Sequence, residues 1–501
     1  MKRTLGVLIA AVLGLLLAST ANASYGIYVG KELTVDGSVL IGGSGDEVSG
    51  HWLEIVPRQE HEEGATIEVG VTEEAAIPGE LIEIPQAPVT YKFIGTFYSD
   101  FEGFPPPLVN GGLNEHGVAG RDIWSPSRAE LVEMTPTPQR GPQYSDLSRI
   151  AMERATSARE AVEIIGSLID EYGYSTYGGN SHMFADEQEG WVLIQMAGGQ
   201  GLWVAERLGS DEVRLSYPGY ILEIPDNYQE HPDYMGSDNL IEFAVEQGWY
   251  DPEEGVPFNV NEVYGNQTGR DTVMFRTEDT TIADFEERVR ELTPVSLEAM
   301  MALVRDPILS GDSTGYGQVA QLHEEVSHPE LRVLWAAATG SVTTPFIPYH
   351  IGVESVPSEY GRHRYLGRDE ASQFVTQDWQ VQEATEYAFR TFKRLMYFTC
   401  DRPEEFLPEV TRALTAFEVG MIDELASVQE TALALFEADR PELAREQLTR
   451  YSDNQSMEGL WLGNALLASI EARTKVQYGI RAPETDEVSR LDYDMVNCIA
   501  D

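Results

Sequence analysis

From Tyr25 to Lys31 apolar and polar positions alternate in a run rich in strand formers, Asp36-Gly37 follows, and Ser38 to Ile41 resumes as apolar strand. Asp-Gly between two such runs is the strongest short-range hairpin signal. A two-residue loop there faces Val35 with Ser38, and the same register faces Ile27 with Asp46. Asp46 is then expected about three residues, roughly 10 Å, along the strand from Ser24, unless the run Gly42, Gly43 and Gly45 bends the second strand back.

Further along, Thr90 to Tyr98 is strand-like, and Leu108 to Trp124 reads as two short strands around an Asn114-Glu115-His116-Gly117 turn. Tyr144 to Tyr172 is predicted to be helical. Within it Ser157 and Glu160 have capping-box spacing, Ala161, Ile164, Ile165, Leu168 and Ile169 form one stripe, and Gly173 sits where a helix would end. Two apolar strands are expected between Phe184 and Glu206, broken at Gly198 and Gly199. Helices follow at 238–247, 282–292 and 294–304, and strands again at 333–338 and 343–353. After about residue 370 the pattern is helical almost throughout, with amphipathic runs at 420–438 and 441–451. Strands so far apart in sequence, interleaved with helices, point to an α+β fold. Residues 371–501 read as a helical C-terminal extension of the domain at 24–370, because no flexible Ser/Gly linker separates them.

The residues before Ser24 follow the pattern of a secretory leader: Lys2 and Arg3, an apolar run from Leu5 to Ala18, then small residues at Ala21 and Ala23. Cleavage after Ala23 is expected, giving a periplasmic or secreted chain that begins at Ser24. That cut would place a hydroxyl and a free α-amine on one residue. A serine hydroxyl is a poor nucleophile until a base takes its proton, and an α-amine with a pKa of about 7.7–8.0 is partly free base near neutrality. An N-terminal serine nucleophile is therefore one reading of Ser24. The other is an exported protein that simply begins with a small residue.

The formal net charge is −49, and removing Lys2 and Arg3 with the leader makes it two units more negative. Such a field repels nucleic acid and anionic membranes. It also suits a saline setting, where salt screens the carboxylates from one another. The expected result is a melting temperature that rises with salt, and a salt-independent melt in thermal scans would contradict it. The two cysteines, Cys400 and Cys498, lie far from Ser24, and either a disulfide between them or two buried thiols is consistent with export.

Other chemistries find less support. Gly311-Asp312-Ser313-Thr314-Gly315 matches a nucleophile elbow in letters, but helical residues and Asp306-Pro307 precede it instead of a buried strand. His116 and His182 are isolated, with no paired ligands of metal-site spacing. No phosphate loop or dinucleotide fingerprint occurs, so neither metal nor cofactor is expected.

Several segments taken together resemble the secreted dipeptidases of the dipeptidase A type, within the N-terminal-nucleophile hydrolase superfamily. They include SYGIYVGKELTVDGSVLI at Ser24 to Ile41, GLNEHGVAG at Gly112 to Gly120, SAREAVEIIGSLIDEYGY at Ser157 to Tyr174 and FADEQEGWVLIQM at Phe184 to Met196. LIEFAVEQGWYDP at Leu240 to Pro252 and VLWAAATGSVTTPFIPYHIGVESVP at Val333 to Pro357 continue the series in order. The resemblance implies a four-layer αββα sandwich and hydrolysis of small peptides through an acyl-enzyme on Ser24. Asp46 would orient the amine or bind the substrate's ammonium, with Asn114, Asn180 or a backbone N–H as oxyanion donor. Two departures stand out: Ser24 occupies the position of the family's usual cysteine, and Tyr217, in RLSYPGYI, stands where an asparagine donor is usual. Asp122 keeps an acidic residue expected near the substrate, whereas Arg121 departs from the pattern. An amidase or acyltransferase acting on a non-peptide amide, or a silent exported binding protein, remains an alternative. Assembly into a homo-oligomer is left open.

Overall fold

The computed structural model describes residues 24–46, 50–99, 101–218, 221–265, 280–363, 385–479 and 498–499. The expected leader at 1–23 and the expected boundary near residue 370 lie outside the described residues. Two large antiparallel sheets carry the fold. One has six strands in the order β10-β1-β2-β12-β13-β14, where β1 is Tyr25–Val29, β2 Val39–Ser44, β10 Val213–Ser216, β12 Gly317–Leu322, β13 Val333–Ala337 and β14 Ile347–His350. The other has eight, β11-β9-β8-β7-β6-β5-β4-β3, built from Trp52–Val56 (β3), Phe93–Tyr98 (β4), Leu108–Asn114 (β5), Ala119–Ile123 (β6), Asn180–Ala185 (β7), Gly190–Gln195 (β8), Trp203–Leu208 (β9) and Tyr234–Gly236 (β11).

Every residue of β1, β2, β5, β6, β7 and β8 is buried. These strands are covered on both faces. Gly26 of β1 abuts Ile123 and Met183 of the eight-stranded sheet, so the sheets face each other there. Helices α1 (Tyr144–Arg154) and α2 (Ala158–Tyr172) cover the far side of the eight-stranded sheet, and α3 (Ile282–Glu291) and α4 (Leu297–Val304) lie on the far side of the six-stranded one. Close approach has a sequence cause in α2, where a Cβ at Gly166 would lie 2.3 Å from the Trp203 ring.

Sequence patterning is corrected at three places. The run from Tyr144 is two helices, because the Ser157 side chain caps α2 by accepting from the Glu160 N–H and the chain turns at Ala155. Gly173, at φ 83°, ends α2 as expected. The segment after it holds three strands, since Asp186 accepts from the Gln188 and Glu189 N–H groups and folds an early turn. The first hairpin also differs. Lys31–Leu33 winds into a 3-10 turn, Thr34 donates to the Ser38 carbonyl at 2.7 Å, and Val35 N–H bonds the Val295 carbonyl. The connection thus runs from Gly30 to Ser38, and Ile27 pairs with Gly42 instead of Asp46.

The C-terminal helices α5 (Ala388–Cys400), α6 (Pro403–Glu437) and α7 (Pro441–Tyr478) share one apolar core with the sheets, through Phe392, Leu414 and Leu467. A buried ion pair joins them to the domain: Arg305, just after α4, donates to both Glu418 carboxylate oxygens at 2.9 and 2.5 Å. Glu418 also accepts from the Phe346 N–H at 2.8 Å. Cys400 and Cys498 form a disulfide. No helix among the described residues is long and apolar enough to cross a membrane.

Two core histidines make stability depend on pH. Burial pushes the His182 ring down to about 4, although it faces the Tyr144 carbonyl, and burial alone pushes His350 down to about 3. Both lie below the unfolded value of about 6.5. Each contribution is therefore whole above that value and is lost as pH falls toward the folded value, because the unfolded chain takes up the protons first. Thermal melts between pH 7 and 4 are expected to show a loss on the order of a few kcal/mol. His182→Gln and His350→Gln should each flatten that slope, and unchanged slopes would contradict the assignment.

Candidate active site

Ser24 immediately precedes β1 and is 5 % exposed. Side chains alternate along a strand, so Ser24 shares with Gly26 the face turned toward the opposite sheet, while Tyr25 turns outward and donates to the Val304 carbonyl at 2.5 Å. Gly26 pairs with Gly43 on one side and Ser216 on the other, and Gly43 pairs in turn with Gln318. One step toward the strand end, the same register brings Ser24 beside Gly45, with Tyr316 beyond it. Glycines thus form most of the floor in front of Ser24.

The displaced hairpin register has its main consequence here. Asp46 lies beside Ser24 instead of roughly 10 Å away: its backbone N–H donates to Ser24 Oγ at 3.1 Å. Such a bond fixes the hydroxyl and favours negative charge on its oxygen. The Asp46 carboxylate is held in turn by Thr314, whose hydroxyl donates to Oδ1 at 3.2 Å while accepting from the Gly311 N–H at 2.9 Å. Gly315 N–H bonds the Gly45 carbonyl at 2.8 Å. The 311–315 run is therefore a brace for Asp46 and no nucleophile elbow. Lys393 of α5 grips the same run through the Asp312 carbonyl and, at 3.4 Å, its carboxylate, so the C-terminal helices support this wall.

Tyr217 follows β10, one residue beyond the Ser216–Gly26 pair, and is packed in the main core beside the start of β1. The other three expected site residues are placed elsewhere. Asn114 spends its whole amide on the turn: Nδ2 donates to the Met152 and Ala155 carbonyls at 3.1 and 2.8 Å, and Oδ1 accepts from the His116 and Val118 N–H groups at 3.0 Å each. No N–H is left for an oxyanion. Asn180 and Asp122 fail for a reason of alternation. Met183, Arg121 and Ile123 point toward Gly26, which turns His182, Asn180 and Asp122 to the opposite, helix-covered side. There Asp122 accepts from Asn110 Nδ2 at 3.1 Å, and Asn180 accepts from the Tyr177 hydroxyl at 3.3 Å.

Residues to which the sequence assigned no site role complete the wall. His51 stacks between Tyr98 and Tyr316, with ring centroids 5.0 and 5.3 Å away, and Tyr387 donates to its carbonyl at 2.6 Å. Arg121 crosses from β6 to lie against Gly26 and Gly43 and donates to the Tyr316 hydroxyl at 2.8 Å. The signal for Arg121 was present: a lone arginine in a strand of small residues, on the face shared with Ile123. Thr314 and Tyr316 carried only the weaker signal of a small-residue loop leading into a strand.

A family model for peptidase family C69 matches residues 23–280. The chain belongs to peptidase family C69. It is 26% identical over 272 residues to a dipeptidase of Bifidobacterium longum, covering 49% of this chain and 47% of that protein. With a probable dipeptidase of Salmonella dublin it shares 28% over 193 residues, 38% and 42% of the two chains. The chain thus spans about half the length of these relatives or less. A crystal structure of a mutant conjugated bile acid hydrolase from Clostridium perfringens aligns with 66% of this chain and 93% of its own at 11% identity and a TM-score of 0.32. The family match begins one residue before Ser24 and ends ahead of α3, so Thr314, Tyr316 and the C-terminal helices lie beyond it.

Proposed function

We propose that this C69 family member is an exported dipeptidase with an N-terminal-nucleophile αββα fold, in which Ser24 becomes the first residue and attacks the peptide carbonyl. The observation that carries the reading is the Asp46 N–H to Ser24 Oγ bond, on a serine that immediately precedes the interior strand β1 and faces the opposite sheet. Dipeptidase relatives add support for the substrate class.

In this reading the α-amine takes the hydroxyl proton as Ser24 Oγ bonds the carbonyl carbon, and delivers it to the amine as the C–N bond breaks. Water then attacks the acyl-serine, with the same amine as base, and the ester C–O bond breaks to return the hydroxyl. Asp46, fixed by Thr314, would bind the ammonium of the substrate's first residue. With Asn114 and Asn180 directed elsewhere, backbone N–H groups near Ser24 are the remaining candidates from that set for the oxyanion, a role worth about 3–4 kcal/mol of barrier per donor. Assay of the mature chain and its Ser24→Ala form with unblocked dipeptides tests the reading. Turnover that needs Ser24 supports it, and turnover that survives the substitution ends it.

A further inference from the structure

Arg121 is fully buried, yet its Nε and Nη1 have no hydrogen-bond partner among the described residues. Among the described residues its one polar bond is from Nη2 to the Tyr316 hydroxyl, a neutral acceptor, and the guanidinium carbon lies 5.6 Å from that ring's centroid. Among the described residues no carboxylate pairs with it, and a buried cation left so is costly, so folds retain one where something else neutralises it. Its position is specific. A Cβ on Gly43 would lie 2.8 Å from Nη1, and one on Gly26 would lie 3.1 Å from the Arg121 Cδ. Those two glycines make the floor one strand step, two residues or roughly 7 Å, from Ser24 on the same face.

Nearby acceptors do not pair with it. Gln318, opposite Gly43, donates its Nε2 to the Gly120 carbonyl at 3.1 Å and leaves Oε1 without a partner among the described residues. Ser216, opposite Gly26, has a buried hydroxyl without one among them as well. The arrangement is a positive group with spare donors, set back from the nucleophile by one strand step, roughly 7 Å.

We propose that Arg121 binds the α-carboxylate of the substrate's C-terminal residue and so sets specificity for dipeptides. The proposal rests on the dipeptidase reading. With the scissile carbonyl at Ser24, a dipeptide's carboxylate follows three bonds beyond that carbon, through N and Cα, and falls toward Gly26 and Gly43. Asp46 on the other side would take the ammonium, so the two ends of the substrate meet opposite charges. A longer peptide would have to put an uncharged amide against the buried guanidinium.

The test uses L-alanyl-L-alanine and its C-terminal amide with mature wild-type protein, Arg121→Met and Arg121→Lys, together with calorimetric binding in a Ser24→Ala background. Arg121→Met is expected to raise KM for the free dipeptide roughly 10- to 100-fold with little change in kcat, and to leave the amide unaffected. Arg121→Lys should recover part of the loss. Arg121→Met should melt no lower than wild type without ligand, since it removes an unneutralised charge. The proposal is overturned if Met weakens both probes equally, lowers kcat at unchanged KM, changes neither probe, or lowers the melting temperature sharply. Absence of dipeptide binding in the Ser24→Ala background overturns it as well. If Ala-Ala binds through Arg121 but wild type never cleaves it, the hydrolase reading fails alone; if cleavage is normal and indifferent to Arg121, this proposal fails alone.

Discussion

Mature protein carrying Ala in place of Ser24 is expected to fold normally and to lose dipeptide hydrolysis by on the order of 10³-fold or more. The side chain is small and sits just before β1, where its one hydrogen bond among the described residues comes from the Asp46 N–H. Loss of one such bond costs about 1 kcal/mol, too little to unfold a chain of this size. The same loss of activity is expected when the hydroxyl is kept and the amine is blocked, either by retaining Ala23 or by acetylating Ser24. The amine is the only base the mechanism assigns to the hydroxyl proton. Rate measurements on both forms, with circular dichroism to confirm folding, check the prediction. Full activity in the blocked form would mean that another base serves Ser24.

Glu418→Ala is expected to destabilise the protein by about 3–5 kcal/mol. Glu418 is 2 % exposed and Arg305 is 5 %, and the pair makes two parallel hydrogen bonds. Removing the carboxylate strands the guanidinium in the core with only the Ser341 and Thr344 carbonyls, and frees the Phe346 N–H besides. The cost comes from the uncompensated charge more than from the lost attraction. A double replacement by apolar residues of similar volume, Arg305→Met with Glu418→Leu, should therefore recover much of the loss. Denaturant midpoints of the three variants test this. If Glu418→Ala alone is neutral, the helices α5 to α7 are held by apolar contacts and the ion pair is incidental.

Much of the fold was legible because its strands and helices announce themselves locally. Leu108–Asn114 and Ala119–Ile123 flank the expected turn, and Ser157 and Gly173 bound α2 as their chemistry requires. The misreadings came where one local signal competed with a tertiary one. Asp36-Gly37 is a strong hairpin signal, yet the bond from Val35 to Val295 and the turn at Lys31–Leu33 lengthen the connection and shift the register by four residues.

That shift decides the candidate site, since it moves Asp46 to Ser24. Ser24 was singled out as a candidate by the leader-like pattern before it and the strand that follows it. Asn114, Asn180 and Asp122 were chosen by residue type, but strand alternation and turn bonding, which depend on register, direct them elsewhere. Arg121 was visible as an oddity and intelligible only when Gly26, Gly43 and Tyr316 were seen to surround it. No sequence pattern encodes that, because the contributing strands lie nearly 300 residues apart.

The most direct measurement is intact mass and N-terminal sequencing of the exported protein, before and after a serine-reactive acylating probe. The account predicts a chain that begins at Ser24 and gains one adduct, on that residue. A chain that begins elsewhere, or a folded protein whose Ser24 stays unmodified, would contradict it.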